Sequence, residues 1–355
     1  MIITVSNQKG GCAKTTTAIN LAASFAALGQ RTLLIDLDPQ THASMGLGIK
    51  TDTLDYSIYN VLSERAEQKK FIENVIRPFG ANLDVAPGHV LLSTIEQEFV
   101  DKELAVGRLR SVLENITFPY QYIIIDCPPS LGFLTFNALF AADLAIVPID
   151  LGSFALFGVA NLLSMVELIR VKMGYSPKVY ALATLVDLRS RFAREMLQHV
   201  RGAFKDNMFE SIIHLNVACR ESQRLGIPVR YHNEKSKAAV DYELLAKEIV
   251  GKFQEDSQAG LEQNTPESRG RVKEFELDFS TAGNVHIVGD FNNWRIDESS
   301  RLWHQGKGSW HKRLHLQPGR YRYKFVVDGR WIPDPSNRHA EPNPYGGIDS
   351  VIEID

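Results

Sequence analysis

Apolar and polar positions over residues 1–253 follow two alternating periods. Short apolar runs stand at residues 2–5, 32–37, 83–86, 122–125, 144–149 and 179–186. Several are unbroken rather than alternating, which is the pattern of parallel strands buried on both faces. Stretches with helical period lie between them. One covers residues 15–28, where Ala18, Leu21, Ala22, Phe25 and Leu28 share a face and Gly29 is the stop. The last covers residues 236–253. Strand–helix alternation of this kind predicts an α/β fold, a mostly parallel sheet sandwiched by helices with right-handed crossovers. Ligands then collect at the carboxyl ends of the strands.

Beyond residue 253 the pattern changes. Residues 254–271 are polar, with Gly260, Pro266 and Gly270, and read as a flexible linker. From residue 272 onward the period becomes two, in runs at 275–279, 285–288, 310–316, 321–327 and 351–354. Turn residues separate these runs, among them Gln317-Pro318-Gly319 and Asp328-Gly329, and all four tryptophans fall in this part. The expectation is an all-β, immunoglobulin-like antiparallel sandwich. The chain thus divides into an α/β domain at 1–253, a linker at 254–271 and a β module at 272–355.

Composition narrows the function classes. The 355 residues are 44% hydrophobic and 23% charged, with a net charge of −3. Nothing global demands nucleic acid or an acidic membrane, so any such contact must come from a local patch. Cys12, Cys127 and Cys219 are far apart and form no paired motif. That argues against a disulfide framework, a zinc site or an iron–sulfur cluster, and suits a reducing, cytoplasmic setting. Cys12 and Cys127 read as small apolar fillers. Met1 runs straight into a strand, which leaves no room for a signal peptide. The most apolar stretches are too short or too interrupted to span a bilayer.

The chemistry concentrates in residues 6–17, Ser-Asn-Gln-Lys-Gly-Gly-Cys-Ala-Lys-Thr-Thr-Thr, directly after the first strand. A glycine turn that opens a helix is a phosphate cradle: backbone N–H groups and a helix N-terminus face the anion, and a lysine adds charge. Gly10, Gly11, Cys12, Ala13, Lys14, Thr15 and Thr16 are the expected nucleotide contacts. Two strand ends carry the acids for such a site, Asp36-Leu37-Asp38-Pro39-Gln40 and Asp126-Cys127-Pro128-Pro129. Thr15 is placed to give Mg²⁺ a hydroxyl, Asp126 to act on the metal through another ligand or a water, and Asp38 to orient an attacking water. Asp36 either ties the strand end or joins the metal's shell.

The spacing departs from the common P-loop. Lys9 stands at the first glycine position and Ala13 where a glycine usually precedes the second lysine. This resembles the deviant Walker A loop of the ParA/MinD family of dimeric ATPases, and both aspartate segments resemble that family's next two motifs. The resemblance covers about residues 1–250. It implies that Lys9 reaches the nucleotide of a partner subunit, that ATP stabilises a homodimer, and that hydrolysis, stimulated by an activating partner protein, releases it. It places Lys9, Lys14 and Asp38 in catalysis and Asn216 on the adenine side. Gly152 and Phe157 depart from it, since many ParA proteins carry acids there. No guanine-type motif appears, because residues 184–187 lack the required lysine.

ParA proteins bind DNA non-specifically, whereas MinD binds membrane through a C-terminal amphipathic helix. Here the helix at 236–253 leads into a polar segment with no basic tail, which counts against membrane docking. Arginines are frequent between 189 and 230, and Arg189, Arg220 and Arg224 are the candidate phosphate contacts. They could equally form an ordinary solvated face.

The C-terminal part carries residues 285–294, Val-His-Ile-Val-Gly-Asp-Phe-Asn-Asn-Trp, and residues 316–331, ending in Val-Asp-Gly-Arg-Trp. Both resemble the glycogen-binding domain of the AMP-activated kinase β subunit, a family-48 carbohydrate-binding module. The resemblance implies sugar stacking on Trp294 and Trp331, a sugar contact from Lys324, and an apolar contact at Tyr345. Asp349 stands where that family has asparagine. Aromatic faces stack on sugars, but such sandwiches also dock proteins. Two functions follow. One is a ParA-type positioning ATPase, cytoplasmic or nucleoid-associated in location, with a glucan or protein tether. The other is a nucleotide-sensing regulatory subunit without DNA.

Overall fold

A computed structural model describes the chain except for residues 66–69, 100–104, 117, 119, 153–156, 262–270, 297–299, 305–308, 317, 344–345 and 355. The chain forms two compact units, Met1–Phe253 and Gln254–Asp355.

In the first unit seven strands form one sheet, in the order β3-β4-β2-β5-β1-β6-β7. They are β1 (Ile2–Val5), β2 (Thr32–Asp36), β3 (Arg77–Gly80), β4 (Leu83–Ala86), β5 (Tyr122–Asp126), β6 (Leu144–Asp150) and β7 (Lys178–Thr184). All neighbours are parallel except β3 and β4. The antiparallel edge strand β3 has no apolar run to announce it: its sequence is Arg-Pro-Phe-Gly. Every residue of β2 and β5 is buried, as their unbroken apolar sequences require.

Helix α1 (Lys14–Ala27) covers one face of the sheet. Its Leu21 and Phe25 join Leu34, Ile124 and Tyr122, together with Tyr242, Leu245 and Ile249 from the helix Lys237–Leu261. Phe25 stacks flat on Tyr122, with ring centroids 3.9 Å apart. Full burial of such a side chain contributes about 1.5–3 kcal/mol. A second cluster joins β6 and β7 to the helices Phe157–Met173 and Arg191–Phe204 through Val147, Ile149, Leu162, Leu197 and Val200.

The helix ending the first unit runs on to Leu261, eight residues into the segment whose polar composition suggests a linker. Gln, Glu, Asp and Ala in this stretch are acceptable helix formers, and the glycine at 260 does not stop it. The rest of the expected linker, residues 262–270, lies outside the described residues, as does Tyr345.

The described strands of the second unit all pair antiparallel. Strand β8 (Arg271–Asp278) pairs with β11 (Ser309–Leu316), which also pairs with β10 (Trp303–His304). In the other sheet β12 (Gly319–Val327) pairs with β9 (Val285–Gly289), β13 (Arg330–Ile332) and β15 (Ile348–Ile354), and β15 pairs with β14 (Ala340–Pro342). Phe275, Ile287, Trp310, Tyr323 and Phe325 fill the space between them.

Candidate functional site

Strand register assembles the first site. Asp126 is the register partner of Val5 on one side and of Asp36 on the other. The loop after β1 and the acidic ends of β2 and β5 therefore meet at one edge of the sheet, and Asp150 closes β6 on the far side of β1.

The loop turns through left-handed backbone at Gly11 (φ 76°) and again at Ala13 (φ 65°). Glycine suits the first position. At the second, the Cβ of alanine costs about 1 kcal/mol, so the turn is held against its own preference. Helix α1 then starts at Lys14 with no side chain capping it. Its first-turn N–H groups therefore face the hollow of the loop, where an anion satisfies them. Lys14 is buried, and its Nζ rests on the Lys9 carbonyl at 3.0 Å. The Cys12 thiol donates to that same carbonyl, and the Thr184 hydroxyl donates to the Cys12 carbonyl at 3.0 Å.

Thr15 Oγ1 donates to Asp126 Oδ2 at 2.8 Å, while Asp126 Oδ1 is buried with no hydrogen-bond partner among the described residues. Burial, and then the Asp36 carboxylate, hold the Asp126 carboxyl well above its ordinary value. A buried carboxylate oxygen with nothing to accept is what a hydrated divalent cation satisfies, so these residues fit Mg²⁺.

Asp36 is differently placed. Its Oδ2 accepts from Ser44 N and Ser44 Oγ, its Oδ1 from Asp38 N, and Ser44 Oγ in turn accepts from Gly88 N. Of the two roles open to it, these bonds supply the tie of the strand end. It holds helix α2 (His42–Gly46) and the Gly88 loop against β2. A side chain at 88 would crowd this tie, since a Cβ there lies 3.0 Å from the Asp36 carbonyl oxygen. Asp38 is buried, with Oδ1 accepting from Gln40 N.

Lys9 sits across the loop. Its Nζ pairs with Asp150 Oδ1 at 2.5 Å, both side chains about a quarter exposed (28% and 25%). Gly152 lies against this pair, and Gly158 against Asn7 and Lys9 N; a Cβ at 158 lies 2.8 Å from Asn7 Oδ1. Asn216 caps the helix Val217–Leu225 through Ala218 N at 2.9 Å. The same helix reaches the loop through Gln223 Nε2, which donates to Thr16 Oγ1.

Asp150, Ser44, Gly88, Thr184 and Gln223 are not among the residues singled out from the sequence. Asp150 had a signal, because it ends an apolar run beside the loop strand. Gln223 had none. Burial pushes the Cys127 thiol up to about 12 and raises Cys12, which makes both inert.

The candidate DNA-contact arginines divide. Arg189 is occupied by Asp187 through Nε and Nη2 at 2.8 and 2.7 Å, and holds that carboxyl down to about 2. Arg220 and Arg224 are exposed, one helical turn apart on Val217–Leu225, and form no ion pair among the described residues.

In the second unit a pocket of about 630 Å³ lies between Trp294, Trp331, Lys324 and Asp349. The two indole rings lie 6.3 Å apart and 27° from parallel, forming one platform. Trp294 adopts a left-handed φ of 58° and is locked by Asp290, whose Oδ1 accepts from its Nε1 at 3.0 Å. Lys324 pairs with Asp349 at 3.1 Å, and Asn343 Nδ2 donates to Asp349 at 2.7 Å. Trp310 is core, 5% exposed.

A parallel sheet whose first strand feeds a glycine turn, an uncapped helix and a threonine on a buried aspartate defines a P-loop nucleotide-binding protein with two loop lysines. The family model described as an AAA domain matches residues 1–178, and that for the glycogen recognition site of AMP-activated protein kinase matches residues 275–355. Chromosome partitioning protein ParA of Myxococcus xanthus is 42% identical over 253 residues, covering 70% of this chain and 87% of that protein. Sporulation initiation inhibitor protein Soj of Bacillus subtilis is 37% identical over 250 residues, covering 70% and 98%. A solved structure of cobyrinic acid a,c-diamide synthase from Mycobacterium smegmatis, with bound ATP analog and magnesium, matches with a TM-score of 0.62 at 28% identity, covering 72% of this chain and 96% of that one. The chain belongs to the ParA family, with a second unit similar to a glycogen-recognition module. No described helix is long and apolar enough to cross a membrane.

Proposed function

We propose that the protein is an ATP-dependent, dimerising ATPase that converts ATP and water to ADP and phosphate and serves as a partitioning or positioning switch. The observation that carries this is the unpartnered, buried Asp126 Oδ1 beside Thr15 at the mouth of the loop. Mg²⁺ held by Thr15 and, through water, Asp126 would neutralise charge on the phosphates. The first-turn N–H groups and Lys14 bind the phosphates. Asp38 accepts a hydrogen bond from the attacking water and sets its direction. Asn216 lies at the start of a helix tied to Thr16 through Gln223, which suits a contact on the adenine side.

Lys9 is bound by Asp150 of its own chain. A partly exposed pair of this kind holds weakly, so Lys9 can exchange that carboxylate for the phosphates of a second subunit. A Lys9→Ala variant is expected to retain nucleotide affinity while losing ATP-dependent dimerisation in light scattering. Dimers of normal stability would end the proposal for Lys9.

Arg220 and Arg224 support non-specific DNA binding, since free guanidinium groups on one helix face can meet phosphates without reading bases. ATP-dependent retention on random DNA at two salt concentrations tests it. The C-terminal module is the tether, reading α-glucan through Trp294, Trp331 and Lys324, or else a partner protein. The second reading, a nucleotide-sensing regulatory subunit without DNA, is favoured by the engagement of Arg189, Arg191 and Arg201 with carboxylates of the same chain. Absence of DNA retention at the lower salt concentration would select it.

A further inference from the structure

The floor of the tryptophan pocket is a buried ion pair. Lys324 and Asp349 are only 12% and 7% exposed, and Asn343 donates to the same Asp349 oxygen that Lys324 engages. Nearer the rim, Asp290 accepts from Trp294 Nε1 and from Arg322 N, and Arg322 pairs with Glu341. Among the described residues, Lys324 and Asp349 therefore offset each other at the floor, and the charge of Arg322 is offset by Glu341.

We propose that this balanced floor makes the site selective for neutral glucans over glucans bearing phosphate or amino groups. The proposal rests on the glucan reading of the module given above. A sugar hydroxyl is both donor and acceptor, so it can accept from Lys324 and donate to Asp349 without separating them. A phosphate must instead approach Asp349 and Asp290, and an ammonium must approach Lys324. Each meets a like charge at a pair that is itself largely buried. Each also has to break the existing pair, which leaves one buried partner unmatched.

Affinity gel electrophoresis of the full chain tests this, with glycogen, a phosphate-rich starch and chitosan as the three matrices. The parent chain is expected to be retarded most by glycogen. Asp349→Asn leaves the lysine uncompensated and should shift relative retention toward phosphate-rich starch, by about tenfold. Lys324→Gln leaves the carboxylate uncompensated and should shift it toward chitosan instead. Opposite shifts in two variants cannot come from a general loss of folding. Unchanged ranking in both variants, with the parent still retarded by glycogen, overturns the selectivity alone. No retardation of the parent by any matrix overturns the glucan reading and this inference together.

Discussion

Asp126 shows how one residue ties stability to function. Burial raises its carboxyl well above 3.8 and raises Asp36 to about 6, so the folded chain holds these protons more tightly than the unfolded chain. Stabilisation from a raised carboxyl is complete below the ordinary value near 3.8 and is lost as pH rises through about 6. The nucleotide-free protein should accordingly lose stability on this account between pH 4 and pH 7. Asp126→Asn removes a buried charge and is expected to stabilise the nucleotide-free protein at pH 7 by about 1–3 kcal/mol. That gain should shrink toward pH 4, where the native carboxyl is protonated. The same variant should lose the rise in melting temperature that Mg-ATP gives the parent chain. Scanning calorimetry over pH, with and without Mg-ATP, reads all three effects. The aspartate itself was legible, because it ends an apolar run. Its missing hydrogen-bond partner was not, because that depends on which strands flank it.

At the scale of elements, the strands were legible wherever both faces are buried. Runs at 2–5 and 83–86 match β1 and β4 to the residue. Strand β3 and the short strands β10, β13 and β14 were not, since two to four mixed residues carry no period. The junction between α2 and the helix Val217–Leu225 was equally hidden. Gly226 ends that helix at φ +69°, and a Cβ there lies 2.8 Å from Gly48 Cα. The glycines let two backbones approach, which brings Gln223 to Thr16. Gly226→Ala meets both a forbidden backbone region and a backbone clash, and is expected to cost about 1–3 kcal/mol. A chemical denaturation midpoint measures it. A variant as stable as the parent would show that this junction is loose.

For the whole molecule, contacts divide the chain into a unit ending at Phe253 and a unit beginning at Gln254. Each has its own apolar core. Residues 1–261 alone are expected to melt in one transition and to keep Mg-dependent ATP turnover, while residues 271–355 keep the glucan retardation of the full chain. Calorimetry and gel retardation of the two fragments check this. Loss of turnover in the longer fragment would mean that the module completes the ATPase rather than tethering it.

By itself the sequence determined what local patterns can carry: buried parallel strands, a phosphate loop with two lysines, acidic strand ends, and a tryptophan-bearing β module. Each lies in a short stretch whose period or spacing follows directly from backbone geometry. The tertiary structure decided what those residues do to one another. Lys9 and Asp150 are 141 residues apart, and they meet only because β6 lies beside β1. Asp36 ties Ser44 to its strand end while Asp126 keeps one buried oxygen unpartnered among the described residues, through differences in their surroundings and not in their motifs. Lys324 and Asp349 became a balanced floor because β12 and β15 present them to one pocket. Hydrogen bonds and charges act over a few ångströms, so chain order can supply the groups, and only folding sets the distances between them.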